Sequence, residues 1–138
     1  MTFHQVNSFD NFQENTKIRC EYLIIGSGAG GSVAALELTA AGKDVLLIEE
    51  GADYDLKNSK DPLSERIRLL YRGGGVTPFI GNPIVGFAEG KTLGGSTVIN
   101  GGLIWRTPEK ILEQWEKNYN LTGYDNSSLS RHFEKIEN

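Results

Sequence analysis

A run of apolar residues, "YLII" at 22–25, leads directly into "GSGAGG" at 26–31, and a small-residue segment, "SVAALELTAAG", follows. No other feature of the chain restricts its fold so strongly. The G-x-G-x-x-G spacing alone is weak, and its surroundings give it force. "CEYLIIG" (20–26) is a short β-branched and aromatic run bounded by charge and glycine, which reads as a buried strand. Residues 29–41 place Val33, Leu36 and Ala40 at helical spacing, with Gly42 where a helix C′ residue belongs. "DVLLIEE" (44–50) reads as a second strand that ends at Gly51. Strand, helix and strand make a β-α-β unit, and the uninterrupted apolar strands predict a parallel sheet covered on both faces. The fold class is therefore α/β, a Rossmann-like dinucleotide-binding domain with a parallel sheet.

The glycines of such a unit have separate tasks. Gly26 permits the tight strand-to-helix turn, Gly28 lets the backbone approach a pyrophosphate, and Gly31 lets the helix pack tightly on the strand. First-turn N–H groups around Ala29 and Gly30 then point at the phosphates, with the positive end of the helix dipole behind them. Glu49 follows Gly31 by eighteen residues, near the spacing of a carboxylate that accepts hydrogen bonds from a ribose. Glu50 is its neighbour, and two carboxylates there would repel a 2′-phosphate, which counts against NADP. NAD and FAD both remain open.

A second glycine cluster, "GKTLGGSTVINGG" at 90–102, bears on that choice. It reads as strand, glycine turn and helix start, in which Gly94 and Gly95 allow close approach and Ser96 or Thr97 caps the helix. That makes a second anion-friendly helix end in one small domain. One long dinucleotide, with its adenosine end at the first loop and its ring at the second, is a more economical occupant than two ligands. Oriented N–H groups at the second loop also suit a flavin, whose reduction places negative charge on the pyrimidine side of the ring.

Between the clusters, "GADYDLKNSKD" is a polar loop, and Asp61 and Pro62 read as N-cap and N1 of a helix with Leu63, Ile67 and Leu70 on one face, stopped by "GGG" at 73–75. Arg66, Arg68 and Arg72 on it read as a solvated face. "VTPFIGNPIVGF" reads as two short strands joined at Gly81-Asn82. "TPEKILEQWEKN" and "NSSLSRHFEKIEN" read as amphipathic helices with polar N-caps. Sixteen of the 17 glycines lie between Gly26 and Gly102, so tight turns and close approaches concentrate in the middle of the chain.

The net charge of -4, with no Lys/Arg-rich block, argues against a nucleic-acid or anionic-membrane partner. No apolar run approaches the ~18 residues of a membrane span, and the first twenty residues lack an apolar signal segment. The single cysteine, Cys20, reads as a buried thiol. These features suit a cytoplasmic protein in a reducing compartment.

"YLIIGSGAGGSVAALELTAAGKDVLLIEEG", followed some way on by "GKTLGGSTVINGGLIWRTP", resembles the N-terminal part of the glucose-methanol-choline (GMC) family of FAD-dependent oxidoreductases. The likeness runs from about Glu21 to Pro108 and continues loosely through "LSRHFEKIEN". Residues 1–20 read from their composition as a polar arm, and the resemblance implies that 21–138 are the N-terminal part of an FAD-binding domain. It further implies that Gly26, Gly28, Ala29, Gly30 and Gly31 hold the FAD pyrophosphate and that Glu49 binds the adenosine ribose. The segment containing Lys91, Gly94, Ser96, Thr97, Asn100, Gly101 and Gly102 would lie against the flavin. Where some members carry a histidine bonded covalently to FAD, this chain has Ile99, so a non-covalent flavin is implied. Where the family favours an aromatic residue four positions after the Asn, this chain has Ile104, with Trp105 next. Trp105 and Trp115 read as core residues.

The family resemblance implies oxidation of a small-molecule alcohol to a carbonyl by hydride transfer to flavin, with a catalytic histidine from the C-terminal part of a longer chain. His4 and His132 do not match that position and read as surface residues. No nucleophile-base pair or metal-ligand cluster competes for the role. The alternatives are an NAD-binding Rossmann module, in which the second glycine cluster is structural, and a truncated chain without activity of its own.

Overall fold

The computed structural model describes residues 6–12, 14–75 and 77–137, so His4 lies outside the described residues. The chain divides into two compact units, 1–101 and 102–138.

The first unit begins with the anticipated β-α-β. Strand β1 (Tyr22–Ile25), helix α1 (Ala29–Ala40) and strand β2 (Val45–Ile48) follow in order, and the strands pair in parallel with Tyr22 opposite Val45 and Ile25 opposite Ile48. Helix α1 ends as its sequence dictates. Gly42, at φ 76°, donates to the Thr39 carbonyl, and Lys43 donates to the Leu38 carbonyl, which together form a Schellman cap. Gly31 lies against the β1 turn so closely that a Cβ there would sit 1.9 Å from the Gly26 carbonyl oxygen. Only glycine allows the helix to seat this deeply.

The expectation of a sheet covered on both faces is corrected. Alternation along β1 sends Ile24 toward α1, where it meets Gly31, while Leu23 and Ile25 turn to the other face and Ile25 is 78% exposed. One helix shields one face, and no element among the described residues covers the other. Cys20 is half-buried rather than buried, because it precedes β1 and has no place in the ladder.

Helix α2 (Leu63–Leu70) starts one residue later than anticipated. Pro62 is its N-cap, without a side-chain cap bond, and the Asp61 carboxylate instead accepts from the hydroxyls of Tyr54 and Ser59. On the face of Leu63, Ile67 and Leu70 burial grows from exposed Leu63 to Leu70, which is 5% exposed. The solvated-face reading of its arginines holds for Arg68, whose side chain is 66% exposed, and is corrected for Arg66. Arg66 donates to the carbonyls of Asp61 and Ser59, fastening the preceding loop, and Arg68 pairs with Glu65. After a turn at 72–75 with left-handed Gly73 and Gly74, strands β3 (Thr77–Phe79) and β4 (Val85–Phe87) form the anticipated antiparallel hairpin around Gly81-Asn82, with Phe79 and Phe87 stacked at 4.3 Å.

A four-residue helix, α3 (Ser96–Ile99), closes the first unit. The second contains α4 (Glu109–Tyr119) and α5 (Asn126–Glu137). Helix α4 has Pro108 as its N-cap and no side-chain cap bond, so the polar cap expected there is absent; Leu112 is its buried residue. Helix α5 is capped one residue before the expected "NSS", by Asp125, whose carboxylate accepts from the N–H and hydroxyl of Ser128 and from the Ser127 hydroxyl. These donors, the Ser127 hydroxyl foremost, hold the Asp125 carboxyl far below its ordinary value. Trp105 is 84% exposed and is not a core residue, since it lies in the extended segment before α4. Trp115, on α4, is exposed at 39% and is likewise not a core residue, and His132 is exposed.

Gly31→Ala and Gly30→Ala should separate cleanly in thermal unfolding. The first drives a methyl group into backbone and should cost at least ~2 kcal/mol; the second meets no protein atom within 4 Å and should leave stability within ~1 kcal/mol or raise it.

Candidate functional site

Where β1 runs out, the chain turns at Gly26, whose φ of 91° suits glycine and whose N–H donates to the Ile48 carbonyl at 2.8 Å. Gly28 is the N-cap of α1 and offers no side chain to cap it. The first bond of the helical ladder runs from the Ser32 N–H to the Gly28 carbonyl, at 2.9 Å. The N–H groups of Ala29, Gly30 and Gly31 therefore precede the ladder, at the positive end of a twelve-residue helix. A Cβ on Gly28 or Gly30 would meet no protein atom within 4 Å, in contrast to Gly31. The packing of the protein does not require glycine at those two positions, whereas the close approach of an anionic ligand does.

Glu49, just past β2, turns its carboxylate back under this loop. Its Oε2 accepts from the Ser27 N–H at 2.8 Å and the Ser27 hydroxyl at 2.7 Å, and its Oε1 accepts from the Gly51 N–H at 3.0 Å. Burial pushes the Glu49 carboxyl up, but the bonds from the Ser27 N–H, the Gly51 N–H and the Ser27 hydroxyl outweigh it and hold the group below its ordinary value. A carboxylate has about four lone-pair sites, so Glu49 keeps acceptor capacity for a hydroxyl group at Oε1. Glu50 does not share the site. It pairs with Arg72, which also meets Glu89 at 3.0 Å, and the Arg72 guanidinium lowers its pKa.

The second glycine cluster reaches the first through backbone. Thr92 bridges to Ala52, beyond β2, in parallel register, and Leu93 donates to the Ala52 carbonyl at 3.0 Å. Gly94 then donates its N–H to the Ser27 hydroxyl at 2.8 Å, and Gly95 lies so close to the first loop that a Cβ there would stand 3.1 Å from the Cα of Gly28. The two glycine turns are in contact. Ser96 does not cap α3 with its hydroxyl, which accepts from the Gly90 N–H at 3.0 Å; Gly95, at φ 58°, is the N-cap. Thr97 donates to the Gly94 carbonyl and Asn100 to the Thr97 carbonyl, so both shape the turn. Lys91 and Gly101 are exposed in this unit, and Gly102 belongs to the second unit.

The structure thus brings together Gly26, Gly28, Glu49, Gly94 and Gly95. It adds Ser27, which the motif treats as a variable position and which is 3% exposed. A hydroxyl rather than an apolar group beside the turn glycine was the signal available in the sequence. Among the described residues no group of three or more His, Cys, Asp or Glu side chains is placed to hold a metal ion. What the site offers is backbone N–H groups, small residues and one ionised carboxylate, a donor set suited to binding phosphate and ribose.

Comparison with known proteins agrees. Residues 67–138 match the family model described as GMC oxidoreductase, and residues 24–54 match that of an NAD(P)-binding Rossmann-like domain. An uncharacterized GMC-type oxidoreductase of Sinorhizobium fredii is 38% identical over 128 residues, covering 91% of this chain and 25% of its own length. A long-chain-alcohol oxidase of Arabidopsis thaliana is 29% identical over 112 residues, covering 81% of this chain and 15% of its own. The crystal structure of pyridoxine 4-oxidase from Mesorbium loti superposes with a TM-score of 0.59 over 80% of this chain and 23% of that one, at 21% identity, which establishes the shared fold. The chain spans a quarter or less of the length of these proteins.

The lowered Glu49 pKa has a testable sign. The stability it contributes is fully present above the ordinary value of 4.5 and is lost as pH falls through the lower native value. In urea unfolding across a pH series, wild type should exceed Glu49→Gln at neutral pH, and the gap should close as pH falls below 4.5. A constant gap would contradict the assignment.

Proposed function

For a chain that belongs to the GMC oxidoreductase family, we propose that the two joined glycine loops cradle a non-covalent FAD in an enzyme that oxidises an alcohol to a carbonyl compound. The observation that carries this reading is the contact of Gly95 with Gly28, reinforced by the Gly94 bond to Ser27. With the loops in contact, one extended dinucleotide can run from one to the other. The fit to such a group rests on Gly28 and Gly30, where the space a side chain would fill is open and N–H groups of α1 lie ahead of the helical ladder.

The residues divide the work by their chemistry. Ala29, Gly30 and Gly31 present N–H groups to the pyrophosphate, and the α1 dipole favours its charge. Glu49 is fixed by Ser27 and Gly51 with Oε1 able to accept from a ribose hydroxyl. The turn at 94–97 and the segment through Asn100 and Gly101 form the flavin end, held in shape by Ser96, Thr97 and Asn100. Ile99 has no nucleophilic atom with which to attach a ring covalently. When bound, FAD supplies the acceptor for the hydride leaving the alcohol carbon. The substrate hydroxyl proton would go to a histidine from the C-terminal part of a longer protein, as the family resemblance implies, and not to His4 or His132. The long-chain-alcohol oxidase of Arabidopsis thaliana supports an alcohol as the substrate class.

A second reading, an NAD-binding module, is favoured by the match at 24–54. Flavin absorbance released on denaturing the purified intact protein supports FAD, and a colourless protein that binds NAD overturns it. Gly28→Ala in the intact protein should leave the unfolding midpoint of the cofactor-free form nearly unchanged, because the added Cβ meets no protein atom. It should nevertheless raise the Kd for FAD at least about tenfold by intruding on the phosphate. Unchanged FAD affinity would contradict the cradle.

A further inference from the structure

Ser27 and Thr92 are the buried polar residues among the described positions of the first unit, at 3% and 2% exposure. Thr92 spends its hydroxyl locally, donating to the Ala52 carbonyl at 2.9 Å. Ser27 is placed differently. Its hydroxyl lies between the carboxylate of Glu49, at 2.7 Å, and the N–H of Gly94, at 2.8 Å. An amide N–H can only donate and an ionised carboxylate can only accept, so the hydroxyl has one orientation, accepting from Gly94 and donating to Glu49. The same residue donates its N–H to Glu49 at 2.8 Å and accepts from the Ser32 hydroxyl at its carbonyl, at 2.5 Å. Every polar group of Ser27 is therefore committed, and its partners lie in α1, after β2 and in the second glycine loop.

We infer that Ser27 is the positioning residue of the cofactor cradle: its hydroxyl fixes the carboxylate of Glu49 and sets the second glycine loop against the first. The inference rests on the FAD reading above and extends it to a residue that the glycine motif leaves variable. Two consequences follow from the geometry. With Oε2 accepting twice from Ser27, the carboxylate presents Oε1 to a ribose. With Gly94 tethered to the same hydroxyl, one atom joins the ribose end to the flavin end directly, alongside the Thr92–Ala52 bridge and the contact of Gly95 with Gly28. Loss of that atom leaves the Gly94 N–H without its acceptor and removes one of the bonds that hold Glu49, leaving those from the Ser27 and Gly51 N–H groups.

The test measures the FAD Kd of the intact protein, by flavin fluorescence on titrating the cofactor-free form, for Ser27→Ala, Ser27→Thr, Glu49→Gln and the Ser27→Ala/Glu49→Gln pair. Ser27→Ala should weaken binding at least about tenfold, and Ser27→Thr, which restores a hydroxyl, should return it to within about threefold of wild type. Because Ser27 acts in part through Glu49, the double variant should bind less weakly than the product of the two single effects. A merely space-filling role would give no rescue by threonine and independent, multiplying effects, and either result overturns the inference. Should Ser27→Ala fail to accumulate folded, Ser27→Cys, which keeps a side chain at γ and weakens both bonds, is judged by the same criteria. Wild type that carries flavin while Ser27→Ala holds it as tightly overturns the Ser27 assignment alone. Wild type that neither carries nor binds flavin overturns the FAD reading, and the inference with it.

Discussion

One hydrogen-bond junction, centred on the buried Ser27, organises the first unit. The Glu49 carboxylate, at the end of β2, accepts from the backbone and side chain of Ser27, and Ser27 accepts from the backbone of Gly94. Apolar burial here is thin: Leu70 is the buried hydrophobic residue of the unit among the described positions, whereas Ser27 and Thr92 are sealed more completely. The relative placement of the β-α-β turn and the second glycine loop therefore depends on directional bonds and close backbone contacts. Such bonds are worth most when their groups are withdrawn from water, and cost most when one partner is removed.

Close backbone contact explains why glycine crowds the middle of the chain. Gly31 seats α1 on the turn, and a Cβ on Gly51 or Gly90 would enter neighbouring backbone at 2.2 and 2.5 Å. Gly28 and Gly30 have no such neighbour. The distinction matters for function, because glycines of the first kind preserve the fold and those of the second preserve space beside it. That space adjoins the start of α1, where phosphate is most readily held. The membership of the GMC oxidoreductase family and the geometry of the site thus point the same way.

Much of this was legible in the sequence because local rules govern it. The strand–turn–helix–strand order, the Gly42 stop of α1 and the hairpin at Gly81-Asn82 follow from periodicity and turn chemistry. Glu49 was found by spacing alone. Long-range choices were not legible. Asp61 was drawn from capping by the hydroxyls of Tyr54 and Ser59, and Arg72 pairs with Glu50 and Glu89 across the sequence. Ser27 escaped notice because its partners are 22 and 67 residues away. The apolar face of β1 could not be judged either, since alternation within a strand says which side chains share a face and nothing of what covers it.

The central claim is that one flavin dinucleotide spans both glycine loops, and a crystal structure of the intact protein with its native cofactor tests it most directly. The account predicts a pyrophosphate on the N–H groups of residues 29–31, a ribose hydroxyl on Glu49, and the flavin ring against the segment from Lys91 to Gly101. A dinucleotide without flavin, or a flavin that leaves that second loop untouched, would contradict it.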